Sequence, residues 1–322
     1  MEAPEKTFRI LPSGPTDPVH PIGAGEWCSI FNTPEFFHLH VGQRRGVFLS
    51  LLPADSDAVI GRAHFVETTP GRFVSPVRGT FGGFDLASSD VQTVEAFVDG
   101  AEQRLREIGA RAIEVALMPF AHSPALNSVV FNVLLRRGYR IEVQDLSYAM
   151  EVRTQPLIER MQRNNQKKLR KCQREGFIVA KCEQDGERRA AYAAVAKNRE
   201  SRGYAISMTY EQLAEMDRVF SGRIHYFSVT HQAETIAGSV CIELNPAVLY
   251  VFYWGDVPGF EVFSPVVLLA DYIYSFAQSQ GFKQLDVGRS TEAGVPNHGL
   301  IRFKEKLGFE ASLKLTVAKE LT

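Results

Sequence analysis

Two pairs of glycines, each placed after a helix-like run and before a strand-like run, recur at a nearly constant spacing. Gly109 and Gly281 are 172 residues apart, and Gly138 and Gly308 are 170 apart. Around the first pair, REIGARAIEVAL answers SQGFKQLDVG. Around the second, LLRRGYRIEVQDLSYAMEV answers FKEKLGFEASLKLTVAKEL. Glycine after a helix supplies the left-handed residue that ends it. A fixed offset over four elements points to two copies of one α/β unit. The alternative is chance, since helix–Gly–strand is common punctuation.

The elements expected in the first copy are strands at 46–52 and 58–67, a Gly-rich segment at 75–85, and a helix opened by a capping box at Ser89 and closed by Gly109. A strand at 112–117, a helix at 125–137 and a strand at 140–152 follow. The second copy offers strands at 225–230, 235–244 and 247–253, and a helix begun by an N-cap at Ser264 with Pro265 at its first position. A strand at 284–287, a helix at 299–307 and a strand at 310–319 complete it. The expected fold is α/β (α+β): an irregular arm over 1–25, then domains at 26–154 and 155–322, each a mixed sheet flanked by helices. A length of 322 residues suits two domains.

The net charge is −1, so an anionic partner must be met by a local patch. One such patch lies between the copies, at 156–177, where a helix-forming stretch carries Arg160, Arg163, Lys167, Lys168, Arg170, Lys171 and Arg174 with almost no acidic counterweight. It reads either as a solvated surface helix or as a contact for a phosphate-bearing partner. Cys28, Cys172, Cys182 and Cys241 lack C-x-x-C spacing, which argues against a zinc site and a disulfide framework and for free thiols. MEAPEKTFRI has no basic start followed by a long apolar run, and no apolar stretch is long enough to span a bilayer. The expectation is a cytoplasmic protein without an integral membrane segment; the pattern sets no oligomeric state.

Nucleophile elbows, zinc-protease helices and phosphate loops are absent. His38 and His40 share a strand face or a loop and are weak metal candidates, so no metal is expected. GTFGGF at 79–84 reads as a tight turn between strands or as a close backbone approach to a ligand. The informative polar groups stand at strand ends, where open α/β sheets collect ligands: Tyr253, Trp254 and Asp256 in YVFYWGD, and Asp286, Arg289 and Ser290 in DVGRS. The two aromatics read alternatively as core or rim residues. The Arg289 fork suits phosphate or carboxylate.

GLIRFKEKLGF at 299–309 resembles the G-x-x-x-F-K-x-x-x-G motif of the Fem-type aminoacyl transferases and their relatives in the GNAT (N-acetyltransferase-like) superfamily. NNQKKLRKCQREGF is similar to that family's basic helix, and FSPVVLLADYIYSFAQSQGFKQLDVGRS to its helix and following strand ending in D-x-G. The likeness is closest over 156–322; the first half is similar in element order only. It implies two tandem GNAT-like domains of bacterial type and acyl transfer to an amine. In the Fem branch the donor is aminoacyl-tRNA and the acceptor a peptidoglycan precursor, hence a small molecule or glycopeptide. In the neighbouring branch the donor is acyl-CoA. Either donor is a co-substrate, so no bound cofactor is implied. GDVPGFEVFSP stands where acetyl-CoA enzymes carry a basic, Gly-rich pyrophosphate loop, and it has neither feature. The long coiled-coil arm of some Fem proteins is also missing.

By the resemblance, Lys304 stabilises the developing oxyanion, with Phe303 packing behind it. Asp286 deprotonates or orients the amine, or only caps a turn. Arg289, Arg302 and Lys168 contact phosphates of donor or acceptor, while Ser290, Tyr253 and Trp254 line the site. The alternatives are a CoA-dependent N-acyltransferase and a GNAT-like pair that binds without turnover.

Overall fold

The computed structural model describes residues 7–16 and 28–321. In chain order the elements are β1 (Phe8–Ser13), α1 (Pro34–Val41), β2 (Gly46–Pro53), β3 (Gly61–Thr69), β4 (Arg72–Ser75), β5 (Asp85–Leu86), α2 (Val91–Glu107), β6 (Ala112–Ala116), α3 (Pro124–Arg136) and β7 (Arg140–Glu151). There follow α4 (Leu157–Arg160), α5 (Arg163–Arg174), β8 (Ile178–Lys181), α6 (Asp185–Ser201), α7 (Tyr210–Val219), β9 (Ile224–His231), β10 (Glu234–Asn245) and β11 (Val248–Asp256). The chain ends with α8 (Pro265–Ser279), β12 (Gln284–Arg289), β13 (Thr291–Glu292), β14 (Val295–Pro296), α9 (His298–Leu307) and β15 (Glu310–Glu320).

The chain forms two compact units. Unit 1 takes the chain up to Leu146, Thr291–Val295 and the stretch from Ser312; unit 2 takes Ser147–Ser290 and Pro296–Ala311. Within unit 1 the strand order is β1-β2-β3-β4-β6-β15, with β5 on β3. Within unit 2 it runs from the end of β7 through β12-β11-β10-β9-β8. Each unit holds one parallel pair, β4 with β6 and β11 with β12. Parallel neighbours need a crossover, and α2 and α8 provide it. The order parallel pair, helix, strand thus occurs twice, as the glycine spacing implies.

The grouping does not follow a single cut at 154/155. The strand after α9, β15, pairs antiparallel with β6 in unit 1, and the end of β7 pairs antiparallel with β12 in unit 2. The second copy therefore gives most of its last strand, and the first copy the end of its last strand, to the other unit's sheet. Sequence pattern does not reveal this, because partner choice is non-local.

Other expectations shift for local reasons. Part of the arm expected at 1–25 is strand β1; the rest of it, except residues 7 and 14–16, lies outside the described residues. The cap of α2 is Asp90, not Ser89, because the Asp90 carboxylate accepts from Thr93 N. The basic stretch breaks into α4 and α5, where Met161 and Gln162 are extended. His38 and His40 lie on helix α1, which the aromatic-rich PEFFHLHV concealed. Ser264 is left-handed (φ 51°) and makes no side-chain cap to α8. In the 79–84 segment Gly82 bridges to Leu117. The helices α6 and α7 lie in a stretch for which no element was expected.

β10 is buried at seven consecutive residues, from Ile236 to Ile242, with no alternation between faces, so both sides of the sheet are covered there. Both α6 and α8 touch β9, β10 and β11. Gly238 of β10 lies so close to α6 that a Cβ there would stand 2.0 Å from the Ala191 carbonyl oxygen. Backbone cannot yield as a side-chain tip does. Gly238→Ala should therefore cost about 1–3 kcal/mol, read as a lower denaturation midpoint in urea; an unchanged midpoint would mean that α6 moves freely.

Candidate active site around Lys304

The end of β12 is irregular. Asp286 faces Ala149 of β7 and Arg289 faces Ser147, so β12 carries one extra residue across this interval. Gly288 sits in that bulge at φ 74°, a conformation costly for other residues. The Gly288 N–H donates to Asp286 Oδ1 at 2.6 Å. The bulge turns the carbonyls of Gly288 and Arg289 out of the ladder, and both accept from Lys304 Nζ, at 2.8 and 2.9 Å.

Lys304 projects from α9. Asn297 caps this helix by accepting from Leu300 N, and Gly308 ends it at φ 95°. The Lys304 side chain is only 1% exposed, and its ammonium lies 5.7 Å from the centre of the Tyr148 ring. Tyr148 Oη in turn donates to Glu305 at 3.3 Å. Burial, opposed by the charge of Asp286, lowers the Lys304 pKa to about 7. An ammonium has three N–H donors; the two carbonyls use two of them.

The predicted residues fall into separate groups. Lys304, Asp286, Arg289 and Ser290 come together. Asp286 is fully buried, Arg289 is exposed, and Ser290 Oγ is buried without a hydrogen-bond partner among the described residues. Phe303 packs edge-on against Trp254, with centroids 5.8 Å apart, and Trp254 also meets Phe309. Arg302 points to solvent. Tyr253 has other partners: its hydroxyl takes the N–H groups of Ser207 and Met208, both at 3.1 Å, and Arg199 lies over its ring. Lys168 donates to Ser264 Oγ at 2.6 Å, at the start of α8.

Sequence reasoning missed Tyr148 and Tyr250. Tyr250 pairs with Asp286 in the parallel ladder, and a Cβ on Gly288 would meet its hydroxyl at 3.4 Å. The D-x-G pattern hinted at the bulge, but Tyr148 arrives on the exchanged strand and carries no local signal.

The turn before α8 leads into a helix N-terminus, the kind of place where free backbone N–H groups can hold a phosphate. Here the N–H groups of Phe263 and Ser264 both bond to the Phe260 carbonyl, that of Val267 bonds to Ser264, and residue 265 is proline. These donors are already spent. All four cysteines are free and buried, and burial pushes the thiols of Cys172 and Cys241 up to about 11 and 12, which leaves them poor nucleophiles. Among the described residues no group of three or more His, Cys, Asp or Glu could hold a metal ion, and no helix is long and apolar enough to cross a membrane.

Solved structures with this arrangement include that of FemX, at TM-score 0.70 and 14% identity over 91% of this chain and 92% of that one. The fold is a tandem GNAT-like fold of the Fem type. The L-PGS structure from Bacillus licheniformis matches at TM-score 0.55 and 12% identity, covering 88% of this chain and 86% of that one. A tandem GNAT protein from the clavulanic acid biosynthesis pathway, solved without AcCoA, matches at 0.52 and 11% over 98% of both chains. No protein-family model matches the sequence, and no curated protein matches it.

The buried ammonium predicts a pH dependence. Unfolded, Lys304 keeps its proton up to about its ordinary value of 10.5; folded, it releases it above about 7. Between these values unfolding takes up a proton, so this group makes the protein more stable as pH rises through that window, and its cost is full below pH 7. The stability of the wild type relative to Lys304→Met should climb between pH 7 and 10.5 in denaturant titrations. Parallel curves would show a lysine of ordinary pKa.

Proposed function

We propose that the protein transfers an acyl group, in the first instance an aminoacyl group from aminoacyl-tRNA, to the amine of a small-molecule or glycopeptide acceptor of the cell envelope. The observation that carries this reading is the ammonium of Lys304, excluded from water and held by the Gly288 and Arg289 carbonyls with one N–H uncommitted to them. In a site of low dielectric such a donor stabilises a developing oxyanion far better than a solvated lysine.

In the reaction the acceptor amine attacks the acyl carbonyl carbon. The carbonyl oxygen gains negative charge beside Lys304, the ester bond to the ribose oxygen breaks, and that oxygen leaves with a proton lost by the amine. Asp286 is a positioning residue: it holds the Gly288 N–H and balances the Lys304 charge. Arg289 and Arg302 are exposed cations suited to phosphates of either substrate, Lys168 adds a third at the start of α8, and Trp254 with Phe303 forms an aromatic wall. Ser290 Oγ is the remaining polar group assigned to substrate, whereas the Tyr253 hydroxyl is taken up by Ser207 and Met208. The spent N–H donors ahead of α8 favour the aminoacyl-tRNA donor over acyl-CoA. The likeness to FemX, a tandem GNAT-like structure, supports acyl transfer in general.

The test is a transfer assay with aminoacyl-tRNA and with acyl-CoA against a panel of amine acceptors including nucleotide-linked glycopeptides. Lys304→Ala should lower kcat on the order of 10²–10³-fold while donor affinity changes little. Turnover with acyl-CoA alone would replace the tRNA donor by CoA, and full activity in Lys304→Ala would end the reading.

A further inference from the structure

The basic face of α5 has no part in the site around Lys304, yet it is arranged. Arg163, Lys167, Arg170 and Arg174 follow at i, i+4, i+7 and i+11, which places them in one narrow stripe on a 3.6-residue helix. All four are exposed, whereas Asn165, Leu169 and Cys172 form the buried side. Arg163, Lys167 and Arg170 make no ion pair among the described residues; Arg174 lies 3.6 Å from Glu175. A chain of net charge −1 thus concentrates four cations on one ridge.

At the C-terminal end of the ridge stand two aliphatic side chains that fold burial does not explain. Ile178 is 65% exposed and Val262 is 69% exposed. Their neighbours Phe177 and Phe263 touch, with ring centroids 5.0 Å apart, so the two backbone segments that carry Ile178 and Val262 run close together. Lys171 Nζ lies 4.3 Å over the Phe263 ring, and Cys172 Sγ donates to the Phe263 carbonyl at 3.3 Å, so this platform is fastened to α5 itself. Ile178 also begins β8, the outermost strand of its unit's sheet order.

We propose that this ridge and the exposed Ile178 and Val262 dock unit 2 on an anionic lipid surface, the cations meeting headgroup phosphates and the two aliphatic side chains entering the boundary with the acyl chains. A nucleic-acid backbone would satisfy the cations equally, but it offers nothing to a pair of bare aliphatic tips, which neither stack on bases nor hydrogen-bond. Cations beside short apolar side chains are the combination an interfacial membrane contact requires. Glu175 and Glu261 flank these positions in sequence, and each is engaged: Glu175 with Arg174, and Glu261 with the Gly259 N–H; Glu234 stands at the same end of the sheet, opposite His231. This inference does not depend on the acyl-transfer reading, since its readout is binding alone.

The experiment is co-sedimentation of the full chain with mixed phosphatidylglycerol–phosphatidylcholine vesicles and with pure phosphatidylcholine vesicles, with a single-stranded RNA oligonucleotide as competitor. Wild type should pellet with the mixed vesicles only. Each of Lys167→Gln and Arg170→Gln should weaken binding roughly fivefold. The double variant Ile178→Ser/Val262→Ser should weaken it roughly tenfold with an unchanged thermal melt, because both sites are exposed. Failure to pellet, or vesicle binding that ignores the Ile178/Val262 change and is displaced by RNA, would overturn the proposal.

Discussion

The ammonium of Lys304, wedged against two carbonyls, is the contact on which the geometry of unit 2's polar centre depends. A buried charge is costly unless hydrogen-bonded, and only an irregular strand can present two consecutive carbonyls to one donor, because regular strands point them in opposite directions. The bulge at Gly288 provides this, and Asp286 holds the bulge by taking its N–H. Helix α9 is thereby tied to the end of β12, and Phe303, one residue before the lysine, rests on Trp254. Electrostatics, backbone conformation and aromatic packing each need the other two.

Unit 1 solves a different problem. The face of β2 and β3 turned toward α2 and α3 is apolar, with Phe65, Phe97 and Val115 in its core. The opposite residues of β3, Arg62 and His64, are fully buried beneath the segment leading into α1, where Phe37, Val41 and Phe48 form a smaller apolar cluster. Burial lowers the His64 pKa to about 3 and raises that of Asp85 to about 7. The two copies therefore share an order of elements without sharing the chemistry of their interiors.

Much of this was legible in the chain. The glycines at 109, 138, 281 and 308 end helices because each adopts positive φ, so the repeat and the strand bounds around them could be read directly. The F-K pair drew attention to Lys304, and D-x-G to the turn that receives it. What stayed hidden was non-local. Nothing in 140–152 says that its end pairs with β12, so Tyr148 could not be assigned to the ammonium. Tyr253 looked like a ligand-facing aromatic, but the N–H groups that occupy its hydroxyl come from Ser207 and Met208, in a stretch without strong periodicity. Lys168 could be named from the resemblance, but its bond to Ser264 at the start of α8 depends on the approach of α5 to α8, which no local pattern shows.

The exchange of terminal strands has a consequence for biosynthesis. A ribosome releases this chain from its N-terminus, yet β6 of unit 1 waits for β15, nearly 200 residues later in the sequence. Until then the edge of β6 offers unpaired backbone groups to any extended peptide nearby. The first copy thus leaves the exit tunnel unfinished, and a chaperone that shields such an edge would serve this protein more than one that shields its apolar core.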